Sequence, residues 1–169
     1  MFQVDSLIMY GATGVCRIVD ITSMQVEGVD KQYYVLKPLY QSGVIYAPCD
    51  NNKVSMRSVI SAEEAKKYID NIPDVQTEIY PSRSMQALTR QYQSMLDTHT
   101  VADLIKITKS IHLKRLAGLK TNKGLGQIDK KFKKRAEDLL YGELSVALGV
   151  TIDEVECFIQ DKLESTAEQ

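Results

Sequence analysis

Over the first sixty positions, apolar residues come in short runs broken by turn residues; over the rest they recur at helical spacing. Segments 6–10, 15–21, 32–39 and 44–47 are rich in Val, Ile, Tyr and Leu, with Gly11 to Gly14, Glu27-Gly28 and Gln41-Ser42-Gly43 between them. This pattern predicts strands joined by tight turns, with residues 2–4 a candidate fifth strand. Tyr33, Val35 and Leu39 fall on one side of a strand and Tyr34 and Leu36 on the other. Apolar residues on both faces favour a small closed or half-closed barrel over an open sheet with one wet face. Pro48 is expected to end a strand, since it has no amide to donate.

From Ser61 the period becomes helical. Ser61 and Glu64 have capping-box spacing and open a predicted helix over 62–71, which stops before Pro73. Residues 72–83 hold Pro73 and Pro81 and read as a linker or irregular connection. Three further apolar stripes follow. One contains Met85, Leu88, Tyr92 and Met95; the next Val101, Leu104, Ile105, Thr108 and Ile111; the third Phe132, Ala136, Leu139, Leu140, Leu144, Ala147 and Leu148. Asp129 is a candidate cap for the third helix and Gly149 a candidate left-handed terminator. Thr151 and Glu154 form a second capping box, opening a last helix to about Leu163. The predicted fold is α+β: an N-terminal barrel over 1–60, a helix and linker over 61–83, a helical domain over 84–164 and a frayed tail over 165–169.

Charge changes this picture more than composition does. The 169 residues carry a net charge of −1, but its distribution is uneven. Residues 101–140 hold eleven basic and four acidic residues, net +7, whereas residues 141–169 hold one and seven, net −6. Lys106, Lys109, Lys114, Arg115, Lys120, Lys123, Lys130, Lys131, Lys133, Lys134 and Arg135 lie in one segment, and Asp129 is the single acid between Lys106 and Lys134. A solvated helix face normally mixes signs. So one-sided a run points to a polyanionic partner, with nucleic acid favoured over membrane because the apolar stripes are needed for a helical core. A helix-turn-helix around Gly149 is disfavoured. Its second helix would carry Asp153, Glu154, Glu156 and Asp161 into a groove lined by phosphates.

Candidate chemistry adds little. His99 and His112 lie in no metal or catalytic motif, and Gly124-Leu-Gly126 follows no strand. Cys16, Cys49 and Cys157 form no C-x-x-C pair. No enzyme activity, metal or cofactor is expected. The N-terminus has no signal-peptide pattern and no apolar run approaches a membrane span, so a soluble cytoplasmic monomer is expected.

The ordered set Tyr10-Gly-x-x-Gly14-Val, Tyr34-Val-Leu-Lys37-Pro-Leu39, residues 44–48 and Met56-Arg57-x-Val59-Ile60-Ser61 resembles the N-terminal part of the CarD/CdnL family of bacterial transcription regulators. Residues 106–114 and 132–149 look like the same family's helical domain. The resemblance implies a Tudor-like domain that interacts with the RNA polymerase β subunit, and a helical domain on promoter DNA near the upstream edge of the bubble. Together these would adjust open-complex stability. The implied polymerase-facing residues are Met24, Val44, Ile45, Tyr46 and Ala47, with Met24 and Tyr46 standing where some members place arginines. The candidate DNA-binding residues are Lys114, Arg115, Lys120, Lys123, Lys130, Lys131, Lys134 and Arg135. Some members insert a tryptophan into the minor groove; this chain has none, and Tyr80, Ser82 or Met85 lies near that position, with Tyr80 or Met85 the possible wedge. Two other readings stay open. One is a protein–protein adaptor that does not touch DNA. The other is a module shared with a transcription-repair coupling helicase, without the helicase motifs.

Overall fold

A computed structural model describes residues 1–50 and 53–167. The chain divides into two compact units, Met1–Ile60 and Ser61–Gln169.

The first unit is an antiparallel sheet of β1 (Leu7–Tyr10), β2 (Gly14–Val26), β3 (Val29–Pro38), β4 (Ile45–Pro48) and β5 (Met56–Ser58), in the order β4-β3-β2-β1-β5. β2 and β3 meet in a two-residue hairpin at Glu27 and Gly28, both with positive φ, as a turn matched to right-handed strand twist requires. The register slips between Ile18 and Asp20, so Val19 forms a bulge. Ile8, Cys16, Ile18, Tyr34, Leu36 and Ala47 are buried together on one face. Burial pushes the Cys16 thiol up to about 11, as befits a core residue.

Two expectations need correction. The sheet does not close: β4 and β5 are its two edges and do not pair with each other among the described residues. Tyr33 and Val35, read as a second core face, are only half-buried, whereas Tyr34 and Leu36 are buried. The sheet therefore has one dry and one partly wet face. Residues 2–4 form no strand; the Phe2 amide donates to Tyr34 Oη at 2.9 Å and its ring packs edge-on against the same tyrosine. The fifth strand is Met56–Ser58, on the far side of β1.

The second unit contains α1 (Ala62–Asp70), α2 (Met85–Leu96), α3 (Val101–Leu119), α4 (Gln127–Leu148) and α5 (Ile152–Ala167). Both capping boxes form: Ser61 Oγ accepts from the Glu64 amide while the Glu64 carboxylate accepts from Ser61, and Thr151 and Glu154 do the same. Gly149 ends α4 in the left-handed conformation, φ 67° and ψ 36°. α3 is buried on most sides over residues 101–112 except at Ala102, Asp103 and Lys106. It meets the stripe Phe132, Ala136, Leu140 and Leu144 of α4. α5 runs to Ala167, past the expected end near Leu163; residues 168 and 169 of the expected frayed tail lie outside the described residues.

Two sequence expectations fail locally. α4 starts at Gln127 behind Gly126, so Asp129 is no cap but a buried residue of the first turn. Met85, placed in the α2 stripe by its spacing, is 70% exposed. Residues 75–84 are an irregular connection, held along α3 as a strap by its side chains. Lys109 Nζ donates to the carbonyls of Ile72, Pro73 and Val75, Ser110 Oγ to that of Glu78, and Lys114 Nζ to Ser82 Oγ.

Candidate nucleic-acid and protein interfaces

The basic segment separates into internal and outward-facing cations. Lys109 is 4% exposed, and burial pushes its pKa down while Asp74 opposes the shift. Its three carbonyl partners account for its place in the fold. Lys114 bridges Asp129 Oδ1 at 3.0 Å and Ser82 Oγ at 2.6 Å. Asp129 Oδ1 also accepts from Tyr92 Oη at 2.7 Å. Burial and this carboxylate push the Tyr92 phenol pKa up, so it stays a donor. One buried carboxylate thus ties α2, α3, α4 and the strap. Lys114 was a candidate DNA residue; its ammonium is instead committed to this cluster.

The remaining candidates are exposed. Arg115 and Lys120 lie toward the end of α3 and Lys123 in the loop that follows. The Lys123 and Thr121 amides fold back onto the Gly118 carbonyl at 2.7 and 3.1 Å. A β-carbon at 118 would collide with the Lys123 carbonyl, which is why this turn needs glycine. On α4, Lys130, Lys131 and Lys134 share the face opposite Phe132 and Ala136. Lys134 forms an exposed i,i+4 pair with Asp138 at 2.9 Å, which raises its pKa, and Lys133 pairs with Glu137 at 2.8 Å. Such surface pairs are weak and yield readily to a phosphate. Lys131 Nζ and Arg135 Cζ lie 5.9 and 5.5 Å from the Phe132 ring centre, which steadies both cations beside the helix.

The two wedge candidates separate as well. Tyr80 is half-buried, its ring edge-on to Tyr92 at 6.0 Å. Met85 stands free at the start of α2, behind the Ser84 cap.

On the sheet, paired residues share a face. Asp20 pairs with Val35 and Val35 with Tyr46; Thr22 pairs with Tyr33, and Met24 with Lys31. Met24, Tyr33, Val35 and Tyr46 therefore share the wet face, with Tyr46 and Val44 more than half exposed. Ile45 is half-buried against the core and Ala47 fully buried. The Ala47 side chain offers nothing to a partner, which corrects its place among the candidate contacts. The Cys49 amide bonds to the Gln32 carbonyl at 3.0 Å, and this sets the phase of the ladder. Ala47 and Ile45 turn their backbone groups toward β3, and Tyr46 turns its amide and carbonyl to the free edge. Pro48 falls at a non-bonded position, where its missing amide costs no ladder bond.

His112 is buried, with Nε2 unpartnered. Burial, then Arg115, push its pKa below the usual 6.5; Glu164 opposes and Lys133 adds to the shift. Its unfolded-state pKa is the higher one, so the unfolded chain binds more protons as pH falls. Stability contributed by the neutral ring is present above about pH 6.5 and lost as pH falls below it. Denaturant midpoints measured between pH 7.5 and 5.5 should decline in the parent protein and decline less in His112→Gln. Equal declines would assign the acid sensitivity elsewhere.

Residues 2–60 match the family model of the CarD-like/TRCF RID domain. The N-terminal unit is thus similar to that domain over nearly its whole length. No curated protein matches the chain. Among the described residues no helix is long and apolar enough to cross a membrane.

Proposed function

We propose that this chain is a transcription regulator whose sheet docks on the RNA polymerase β subunit and whose helical unit holds promoter DNA by its backbone, adjusting open-complex stability during initiation. The observation that carries this reading is one RID-type sheet, with a free edge and an apolar wet face, in the same chain as an outward lysine face on α4. The RID match supports reading the sheet as a Tudor-like barrel that stops short of closure. In this account Tyr46 offers its edge amide and carbonyl for strand addition, and Met24, Val44, Tyr33 and Val35 supply the apolar contact. Arg115, Lys120, Lys123, Lys130, Lys131, Lys134 and Arg135 meet phosphates, which gives affinity with little base readout. Met85 is the residue free to probe a base step, and Tyr80 supports the strap behind it. No catalytic step is assigned. The protein acts as a cytoplasmic monomer, brought to the nucleoid by polymerase.

Duplex binding should weaken steeply with salt, and Lys130→Ala should lower the slope of log affinity against log salt by about 1. A salt-independent interaction, or none with and without polymerase, would refute the DNA part. Tethering to polymerase raises the effective concentration, so a weak contact by the isolated chain suffices.

The adaptor reading draws on the internal use of Lys109 and Lys114 and on the Lys133–Glu137 and Lys134–Asp138 pairs, which thin the outward charge. It requires polymerase association that survives both nuclease treatment and charge reversal at Lys130, Lys131 and Lys134.

A further inference from the structure

A cavity of about 300 Å³ opens among α3, α4 and α5. Thr108, His112 and Arg115 line it from α3, Lys133 and Glu137 from α4, and Gln160 from α5. Two of these are fixed cations. Glu137 is the one acid among the lining residues, and Lys133 already holds it at 2.8 Å. Thr108 Oγ1 is committed to the Leu104 carbonyl at 2.9 Å. His112 is only 7% exposed and its Nε2 has no partner. A buried polar atom left unpaired costs about 1–3 kcal/mol, so the fold gains little from a histidine here unless something engages it.

We infer that this cavity binds a phosphate group, held by the Arg115 guanidinium and the Lys133 ammonium, with the His112 ring and the Gln160 amide as further donors. Arg115 presents a planar fork suited to two phosphate oxygens. Glu137 excludes a ligand that is anionic on every side. A phosphomonoester loses its second proton near pH 6, so its monoanion still carries an O–H that can donate to Glu137. The volume admits a phosphate with a small organic substituent. The site shares Arg115 with the proposed duplex contact, but Lys130 and Lys134 do not line it.

The test uses the full-length, 15N-labelled chain and the imidazole resonances of His112, assigned with His112→Gln. Inorganic phosphate is titrated at constant ionic strength, with chloride making up the balance. The expected result is a saturable shift of the His112 ring nitrogens and a rise in its pKa, because a bound anion reverses the cationic surroundings. Arg115→Gln and Lys133→Gln should each weaken phosphate binding by about tenfold, the effect of one lost charge-assisted hydrogen bond. Gln160→Leu, which leaves the charges in place, should weaken it by less, and Lys130→Ala should leave it unchanged. A short unphosphorylated duplex forms a second arm. If it moves the His112 resonances too, the phosphate comes from a nucleic-acid backbone; if only inorganic phosphate moves them, the ligand is a free phosphate compound. A shift that never saturates, that chloride reproduces, or that persists in both Arg115→Gln and Lys133→Gln overturns the site. The inorganic-phosphate outcomes do not depend on whether the lysine face of α4 binds DNA.

Discussion

Replacing Asp129 by alanine is expected to cost about 3 kcal/mol of stability, the usual size for breaking a buried ion pair from one side. Asp129 is 1% exposed and its Oδ1 takes two donors, the Tyr92 hydroxyl and the Lys114 ammonium. The Lys114 side chain is itself only 16% exposed. Without the carboxylate, the hydroxyl loses its acceptor and the ammonium keeps only Ser82 Oγ, in a mostly dry place. Lys114 then either remains poorly solvated or swings outward, releasing Ser82 and with it the strap. Urea denaturation reads the loss directly. Asp129→Asn keeps an acceptor for Tyr92 and should lose clearly less than Asp129→Ala. If the two variants are equally stable, the cluster is not what ties α2, α3 and α4 together. Duplex binding offers a second readout: freeing Lys114 adds an outward cation, so the salt slope of folded Asp129→Asn should not fall.

Replacing Tyr46 by proline is expected to abolish co-purification with RNA polymerase while leaving the sheet folded. The ladder phase makes this position informative. The backbone of Ile45 bonds to β3, so proline at 45 would damage the sheet as well as any docking edge. The Tyr46 amide points to the free edge, where proline removes a donor without removing a ladder bond. Proline also keeps the preceding Ile45 extended, which β4 already requires. Tyr46→Thr separates edge from side chain: it retains the amide and loses the ring. Full polymerase capture by a folded Tyr46→Pro protein would remove strand addition from the account and leave the apolar wet face as the only docking element.

What was legible in the sequence follows how local each determinant is. The capping boxes at Ser61/Glu64 and Thr151/Glu154 and the stop at Gly149 were readable because their hydrogen bonds span three to five residues. The first strands were readable from their runs of Val, Ile and Tyr. Closure of the barrel was not, because apolar residues on two faces do not say whether the second face is covered; Tyr33 and Val35 are apolar and only half-buried. Met85 has the spacing of the α2 stripe, but as the first residue of the helix it lies beyond the neighbours that bury Leu88 and Tyr92.

The basic segment shows the same limit. Lys109, Lys114 and Asp129 act through partners 15 to 37 residues away, and no periodicity displays such pairs. One signal was present nonetheless. Asp129 stands three, seven and eleven residues before Phe132, Ala136 and Leu140, which places it on the buried stripe. A lone acid on the dry side of a cationic helix is better read as the internal partner of a lysine than as a cap.

Hydroxyl-radical footprinting of a polymerase–promoter complex, with and without this protein, tests the central claim most directly, because it reads backbone contact in the setting where the sheet supplies the tether. The account predicts a short patch of added backbone protection that disappears with Lys130→Glu and Lys134→Glu, while both variants still co-purify with polymerase. Protection that persists in the charge-reversed protein, or polymerase association with no added protection at all, would contradict it and leave the adaptor reading in its place.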